Sequence, residues 1–259
     1  MRKSACAVRQ LHDVQPFALE PRAHQAADGR VVVHQDDGAR EGRGAVASGH
    51  GLRERQAEAG VEGVARTVHL RAVRRLSNVI GVDDAPFSRA HRGDVPIVGA
   101  VFTRTRLDGV LIDRVRRDGA NAADRIAAMI RRSPFREHLQ AIVLNGIALA
   151  GFNVVDLRAL CAASGLPVLV VARKAPDLAA IERALRDRVR GGARKWRLIR
   201  QAGPMEPLLG VWVQREGLTL AQARSLIEQT RLQGLLPEPI RAAHLIAGAV
   251  ATGTSRGDA

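Results

Sequence analysis

Three polar residues stand where apolar, β-branched runs stop. Asp83 follows residues 78–82, Asn145 follows residues 141–144, and Lys174 lies just past residues 166–172. In open sheets with parallel strands, ligands collect at the strand C-terminal ends, so these positions are the first candidates for chemistry. Oxygen ligands converging from strand ends suit a hard cation such as Mg²⁺ or Mn²⁺, whose octahedron is completed by water and phosphate oxygens. That arrangement implies phosphoryl transfer, with a lysine to neutralise phosphate charge. Asp118, after a third strand, and Glu216, between the last strand and a helix, could face the same area. Each residue also has an ordinary structural use: Asp83-Asp84 can cap a turn, and Asn145-Gly146 and Asp118-Gly119 can form left-handed turns. Spacing leaves both readings open.

The elements that would position these residues begin near Leu76. Residues 78–82 read as a first strand, stopped by Pro86, and 95–103 and 109–115 as two more. Arg106-Leu107-Asp108-Gly109 supplies a tight hairpin turn between the second and third. Asn121 with Asp124 suggests a helix start, and Ile126, Met129 and Ile130 share a face up to about Arg132. Residues 141–144 are a continuous apolar strand. Val154, Leu157, Leu160 and Cys161 mark a helix closed by Gly165, and 166–172 is another apolar strand. Leu178, Ile181, Leu185 and Val189 mark the next helix. Strand alternating with helix implies parallel pairing, hence an α/β mixed sheet flanked by helices. Beyond Gly191-Gly192, residues 196–200 and 208–213 read as a hairpin-like pair. Thr219 and Gln222 fit a capping box, and Pro237 and Pro239 open a last helix through Ala247. His138 and His244 fall on helices in this reading, with packing or capping roles. Asn153 and Asp156 read as helix caps.

Composition bounds the rest. The 259 residues are 46% hydrophobic and carry a net charge of +14. Residues 1–70 hold ten basic and nine acidic residues, which leaves +13 to the remainder, where a polyanionic partner such as nucleic acid is expected. Residues 1–72 lack sustained periodicity and hold five of the eight histidines. They read as a poorly ordered extension or as the product of a wrong start site, with one domain over 73–259. No apolar run is long enough for a membrane span or signal peptide, so the expected location is cytoplasmic, with no membrane partner. Cys6 and Cys161 are too few for a disulfide framework, and Cys161 reads as core.

Three stretches are more specific: Val79-Ile80-Gly81-Val82-Asp83-Asp84-Ala85-Pro86-Phe87, the run from Leu144 to Asp156, and Gly165 to Lys174. Together they resemble the prokaryotic family called domain of unknown function ninety-nine, which is similar to endonuclease V. Pro237-Glu238-Pro239-Ile240-Arg241-Ala242-Ala243-His244 also resembles the Pro-Glu-Pro helix of endonuclease V. The resemblance spans residues 76–250 and implies a ribonuclease H-like, endonuclease V-like fold. It further implies cleavage of nucleic acid near deaminated bases, with divalent metal held by acidic residues. Asp83 matches the metal aspartate ending the family's first strand, and Lys174 the lysine after its apolar strand. Asn145 stands in place of the second metal aspartate, and Glu216 aligns where a histidine approaches the metal. The implied ligand set is Asp83, Asn145 and Glu216. Asp118, near the third strand's end, stands closest to a further glutamate. Three functions follow as expectations: a Mg²⁺-dependent phosphodiesterase acting on DNA or RNA, a non-catalytic nucleic-acid-binding relative, and a small-molecule phosphate ester hydrolase.

Overall fold

Runs of Val, Ile and Leu that are buried on both sides build the centre of a seven-stranded sheet. The protein is described here by a computed structural model covering residues 76–256. The expectation for residues 1–72, including Cys6 and the five histidines there, lies outside the described residues. Strand β1 (Asn78–Asp84) pairs antiparallel with β2 (Asp94–Thr103), and β2 pairs antiparallel with β3 (Arg106–Arg116). On its other side β1 runs parallel to β4 (Ala141–Asn145), and β4 parallel to β7 (Val168–Ala172). In both β4 and β7 the first four residues are all buried, as a strand covered on both faces requires. An antiparallel hairpin, β8 (Glu206–Leu208) with β9 (Val211–Glu216), completes the order β3-β2-β1-β4-β7-β9-β8. The expected mixed sheet is present.

Helices α1 (Ala122–Arg131), α2 (Leu157–Ser164), α3 (Leu178–Arg188), α4 (Gly192–Gln201), α5 (Leu220–Thr230) and α6 (Glu238–Thr252) flank it, and β5 (Ala148–Leu149) with β6 (Asn153–Val154) forms a small separate hairpin. Several ends follow the expected chemistry. Asp156 caps α2 by accepting from Ala159 N at 3.0 Å, Gly165 closes it at φ 71°, and Thr219 with Gln222 completes a capping box on α5. None of the described helices is long and apolar enough to cross a membrane.

Four local expectations are corrected. Residues 196–200 are helical, within α4: Gly192, Lys195 and Ile199 are all buried at helical spacing, which outweighs the strand-like alternation of charged and apolar residues. The β2–β3 reversal falls at Arg104-Thr105, four residues earlier than Asp108-Gly109. The Asp108 carboxylate accepts from Thr103 Oγ1 and Arg106 Nε, and Asp108 sits in a bulge opposite Val101 and Phe102. Asn121 does not cap α1 with its side chain, because its Oδ1 accepts from Arg116 N and Asn153 Nδ2. Asn153, 31 residues away in sequence, accepts from Ala122 N at 3.1 Å instead. His138 lies exposed in the turn after α1, not on a helix.

One glycine fixes where α6 sits. A Cβ at Gly81 in β1 would lie 2.2 Å from the Pro239 carbonyl carbon, so only glycine lets the start of α6 rest directly on the strand. Gly81 and Asp83 are two residues apart and share that face of the sheet. Helix α6 therefore passes over the row that ends in Asp83.

Candidate active site at the strand ends

Asp83 is 1% exposed, and its carboxylate is surrounded by donors. Oδ1 accepts from the Asp84 backbone N–H at 3.0 Å. Oδ2 accepts from Asn145 Nδ2 at 2.9 Å and stands 2.8 Å from His244 Nδ1. A carboxylate withdrawn from water needs hydrogen-bond partners to offset its lost hydration. Each partner comes from a different element: Asn145 from the end of β4, which is parallel to β1 and beside it, and His244 from α6, seated by Gly81.

The His244 side chain is 44% exposed, and with Nδ1 engaged its Nε2 is the ring nitrogen left for solvent or a ligand. The hydrogen bond to Asp83 is the largest influence on the imidazole and raises its pKa. Burial opposes the rise, the Asp83 charge adds to it, and Arg173 pulls against it. Arg173 and Lys174, both exposed, lie between β7 and α3, and Arg173 is near enough to His244 to act on its charge. The site is an Asp–His pair tied to an amide, with the Arg173 cation close enough to act on the ring.

The other anticipated residues are placed elsewhere. Glu216 pairs with Val168, whereas Asn145 pairs with Val171, three residues further along β7. At the rise of a β-strand, Glu216 is roughly 10 Å down the sheet. It lies instead beside Arg158 Nε, at 3.7 Å, and near Cys161, whose thiol pKa is raised by burial and then by the Glu216 charge. Oxygens on one Mg²⁺ lie within about 4.2 Å of each other, given ligand distances near 2.1 Å, so Glu216 cannot share a cation with Asp83 and Asn145. Among the described residues, no three His, Cys, Asp or Glu side chains are grouped to hold a metal. Asp118 serves a loop. At φ 49° its N–H donates to Ala150 O, its Oδ1 accepts from Phe152 N at 2.9 Å, and its carbonyl accepts from Lys195 Nζ. Burial lowers the pKa of that lysine, which is 5% exposed. Cys161 is only partly buried, at the margin of the core.

His244 is the residue that sequence reasoning placed in a packing role. Its partner is 161 positions away, and the one local signal was the Pro-Glu-Pro start of its helix.

One residue beyond Asn145 a cavity opens, with a volume of about 280 Å³. Gly146, Ile147, Phe152, Leu178 and Trp196 give it apolar walls, and Gln214 and Arg200 contribute the polar groups. Gln214 is 4% exposed, and its Nε2 donates to Gly203 O at 2.6 Å, which holds the amide in place.

Residues 75–251 match the family described as Endonuclease dU. The chain belongs to that family. The likeness read from residues 76–250 is borne out. A UPF0215 protein of Deinococcus radiodurans is 58% identical over 187 residues, 72% of this chain and 95% of its own length. A UPF0215 protein of Methanothermobacter thermautotrophicus is 40% identical over 198 residues, 74% of this chain and 96% of its own. Among solved structures, a protein of unknown function from Archaeoglobus fulgidus superposes with a TM-score of 0.63 at 32% identity, covering 67% of this chain and 97% of that one. Endonuclease V of Bacillus subtilis is similar at a lower level, with a TM-score of 0.45 and 12% identity over 68% of this chain and 81% of that one.

Proposed function

We propose that this member of the Endonuclease dU family is a phosphodiesterase that cuts a nucleic-acid strand at the Asp83 site, with DNA containing deoxyuridine as the substrate. The observation that carries the reading is the coupling of Asp83 to His244 where β1 and β4 end side by side. Asp83 orients the imidazole through Nδ1, which leaves Nε2 to hold or deliver a proton at a phosphate or leaving oxygen. The raised pKa of His244 favours the protonated ring, a donor suited to phosphate oxygen. Arg173 adds positive charge beside the ring, and Lys174, the next residue along the chain, would extend it toward a phosphate.

The sequence resemblance to endonuclease V also implies Mg²⁺ or Mn²⁺. The donors at the site fit a cation that keeps most of its waters rather than a protein cage: Asp83 and Asn145 lie side by side at the ends of parallel strands and would hold it, with water and substrate phosphate in the remaining positions. Bound there, the ion would supply charge neutralisation and an acidified water.

One observation favours a second reading, nucleic-acid binding without cleavage. The Asp83 Oδ2 already meets two partners, and Asn145 brings no charge. The test is incubation of the full chain with single- and double-stranded DNA and RNA containing one deoxyuridine, one inosine or neither, in Mg²⁺, Mn²⁺ or EDTA. Metal-dependent cleavage confined to deoxyuridine DNA supports the proposal. Salt-sensitive binding, unaffected by EDTA and without cleavage in any arm, supports the second reading.

A further inference from the structure

Many exposed arginines of the described residues sit beside an acid of their own: Arg106 with Asp108, Arg116 with Asp94, Arg136 with Glu137 and Arg224 with Glu228. The helical pair α3–α4 is different. Residues 178–201 carry seven arginines against two acids, Glu182 and Asp187, and all seven arginines are exposed. Arg186 meets Asp187 at 3.7 Å. Arg183, Arg188, Arg190, Arg194, Arg197 and Arg200 have no acid partner among the described residues. Within the helices these cations recur every three residues, Arg183 with Arg186 and Arg194 with Arg197 and Arg200, a spacing at which side chains are neighbours and like charges repel. Burial lowers the pKa of Lys195, Asp118 opposes the fall, and the Arg194 charge adds to it. A surface that keeps such repulsion is complemented by a polyanion, and the planar guanidinium fork suits phosphate oxygens.

The pairing of the sheet places this surface. Leu144 pairs with Val82 and with Val170, and Val170 pairs with Gln214. Val170 and Gln214 line the cavity that Ile181, Trp196 and Ile199 close from α3 and α4. The two helices therefore cover the sheet face that Val82 shares, opposite the one that Asp83, its neighbour in β1, presents. They reach the site at the strand-end edge, where Arg200 lines the same cavity as Gly146, and Arg173 and Lys174 join β7 to α3. Along α4, ten residues long, the charge extends roughly 15 Å, the rise of four to five base pairs. Aromatic side chains, on which the bases of a single strand stack, are absent from residues 178–201 apart from Trp196, a wall of the cavity. Contact is left to the backbone of the nucleic acid.

We infer that α3–α4 is a clamp for the sugar–phosphate backbone of double-stranded DNA flanking the nucleotide at Asp83. The clamp rests on the function proposed above for the class of its partner, and adds the surface and the double-stranded form.

Binding of the full chain to a fluorescein-labelled DNA duplex, followed across a NaCl series, tests it. With Arg183→Gln, Arg194→Gln and Arg197→Gln together, the slope of log K against log salt should become shallower by about 2.7, at about 0.9 per lost phosphate contact, and binding should weaken at least tenfold. Glutamine has a helix propensity close to that of arginine, so the circular dichroism should be unchanged, and lysine at the same three positions should restore the slope. Arg106→Gln, Arg136→Gln and Arg224→Gln together, each taken from its own acid, should leave the slope as it was. An unchanged slope in the α3–α4 variant, an equal change in the Arg106, Arg136 and Arg224 variant, or a loss confined to single strands would overturn the clamp. So would competition by polyglutamate as strong as that by DNA of equal charge, which would give the surface to an acidic protein. Duplex binding that depends on the three arginines, without cleavage, upholds the clamp and contradicts the proposed cleavage; cleavage indifferent to them does the reverse.

Discussion

Asp83 and Asp118 are both aspartates at strand ends, and both are tied down by several hydrogen bonds, yet they are tied to different things. Asp118 serves its own loop: it bridges the backbone of Ala150 and Phe152, its carbonyl takes the buried Lys195, and its carboxylate pairs with the neighbouring Arg117, none of which leaves a titratable ring at the surface. Asp83, besides the Asp84 N–H, is bound to an amide and a half-exposed imidazole that reach it from separate elements. A carboxylate that stitches backbone shapes the molecule. One that aims a titratable ring, with a second ring nitrogen to spare, can take part in a reaction. Neither burial nor position at a strand end distinguishes the two; the identity of the donors does.

The comparison breaks most sharply at His244. His244→Ala should lower single-turnover cleavage of deoxyuridine DNA by about 10²- to 10⁴-fold, the usual contribution of a positioned acid or base, with binding retained. A loss below threefold would put Asp83 in the same class as Asp118. Gly81→Ala should come next. The added Cβ meets Pro239 backbone, so α6 must shift, costing on the order of 1–3 kcal/mol in urea unfolding and displacing His244 from Asp83. Unchanged stability together with unchanged cleavage would remove the argument that Gly81 seats the site.

A smaller effect lies in the pH dependence. The folded pKa of His244 is raised, so its interaction with Asp83 stabilises the protein fully below the ordinary histidine pKa of about 6.5 and is lost as pH rises through the raised folded value. The ring is partly exposed, so the stability change should be modest. The cleaner measurement is the NMR titration of His244, which Asp83→Asn should move to lower pH. An unmoved titration would mean that Asp83 does not control the ring. The smallest effect belongs to Glu216→Gln, far down the sheet, which should leave cleavage unchanged and stability within about 0.5 kcal/mol.

The sheet was largely legible because its central strands are continuous apolar runs and its turns and caps carry their own chemistry. Residues 196–200 misled because Lys-Trp-Arg-Leu-Ile-Arg alternates as a strand does, while the burial of Lys195 and Ile199 that makes it a helix comes from tertiary packing. At the site, Asp83 and Asn145 were readable as the residues that end adjacent apolar strands. Glu216 was misplaced because spacing does not give register: only the pairing of Val168 with Glu216 puts it three residues from the level of Asn145. His244 was invisible as a partner because the contact joins the first strand to the last helix.

The most direct test changes one atom at each of the two aspartates. Cleavage of a deoxyuridine-containing strand in Mg²⁺ would be compared for the full chain, Asp83→Asn and Asp118→Asn, with binding of the same strand followed in parallel. The account predicts that Asp83→Asn binds but cleaves at least 10²-fold more slowly, while Asp118→Asn cleaves within threefold of the unaltered protein. Equal losses at both positions, or full cleavage by Asp83→Asn, would contradict it.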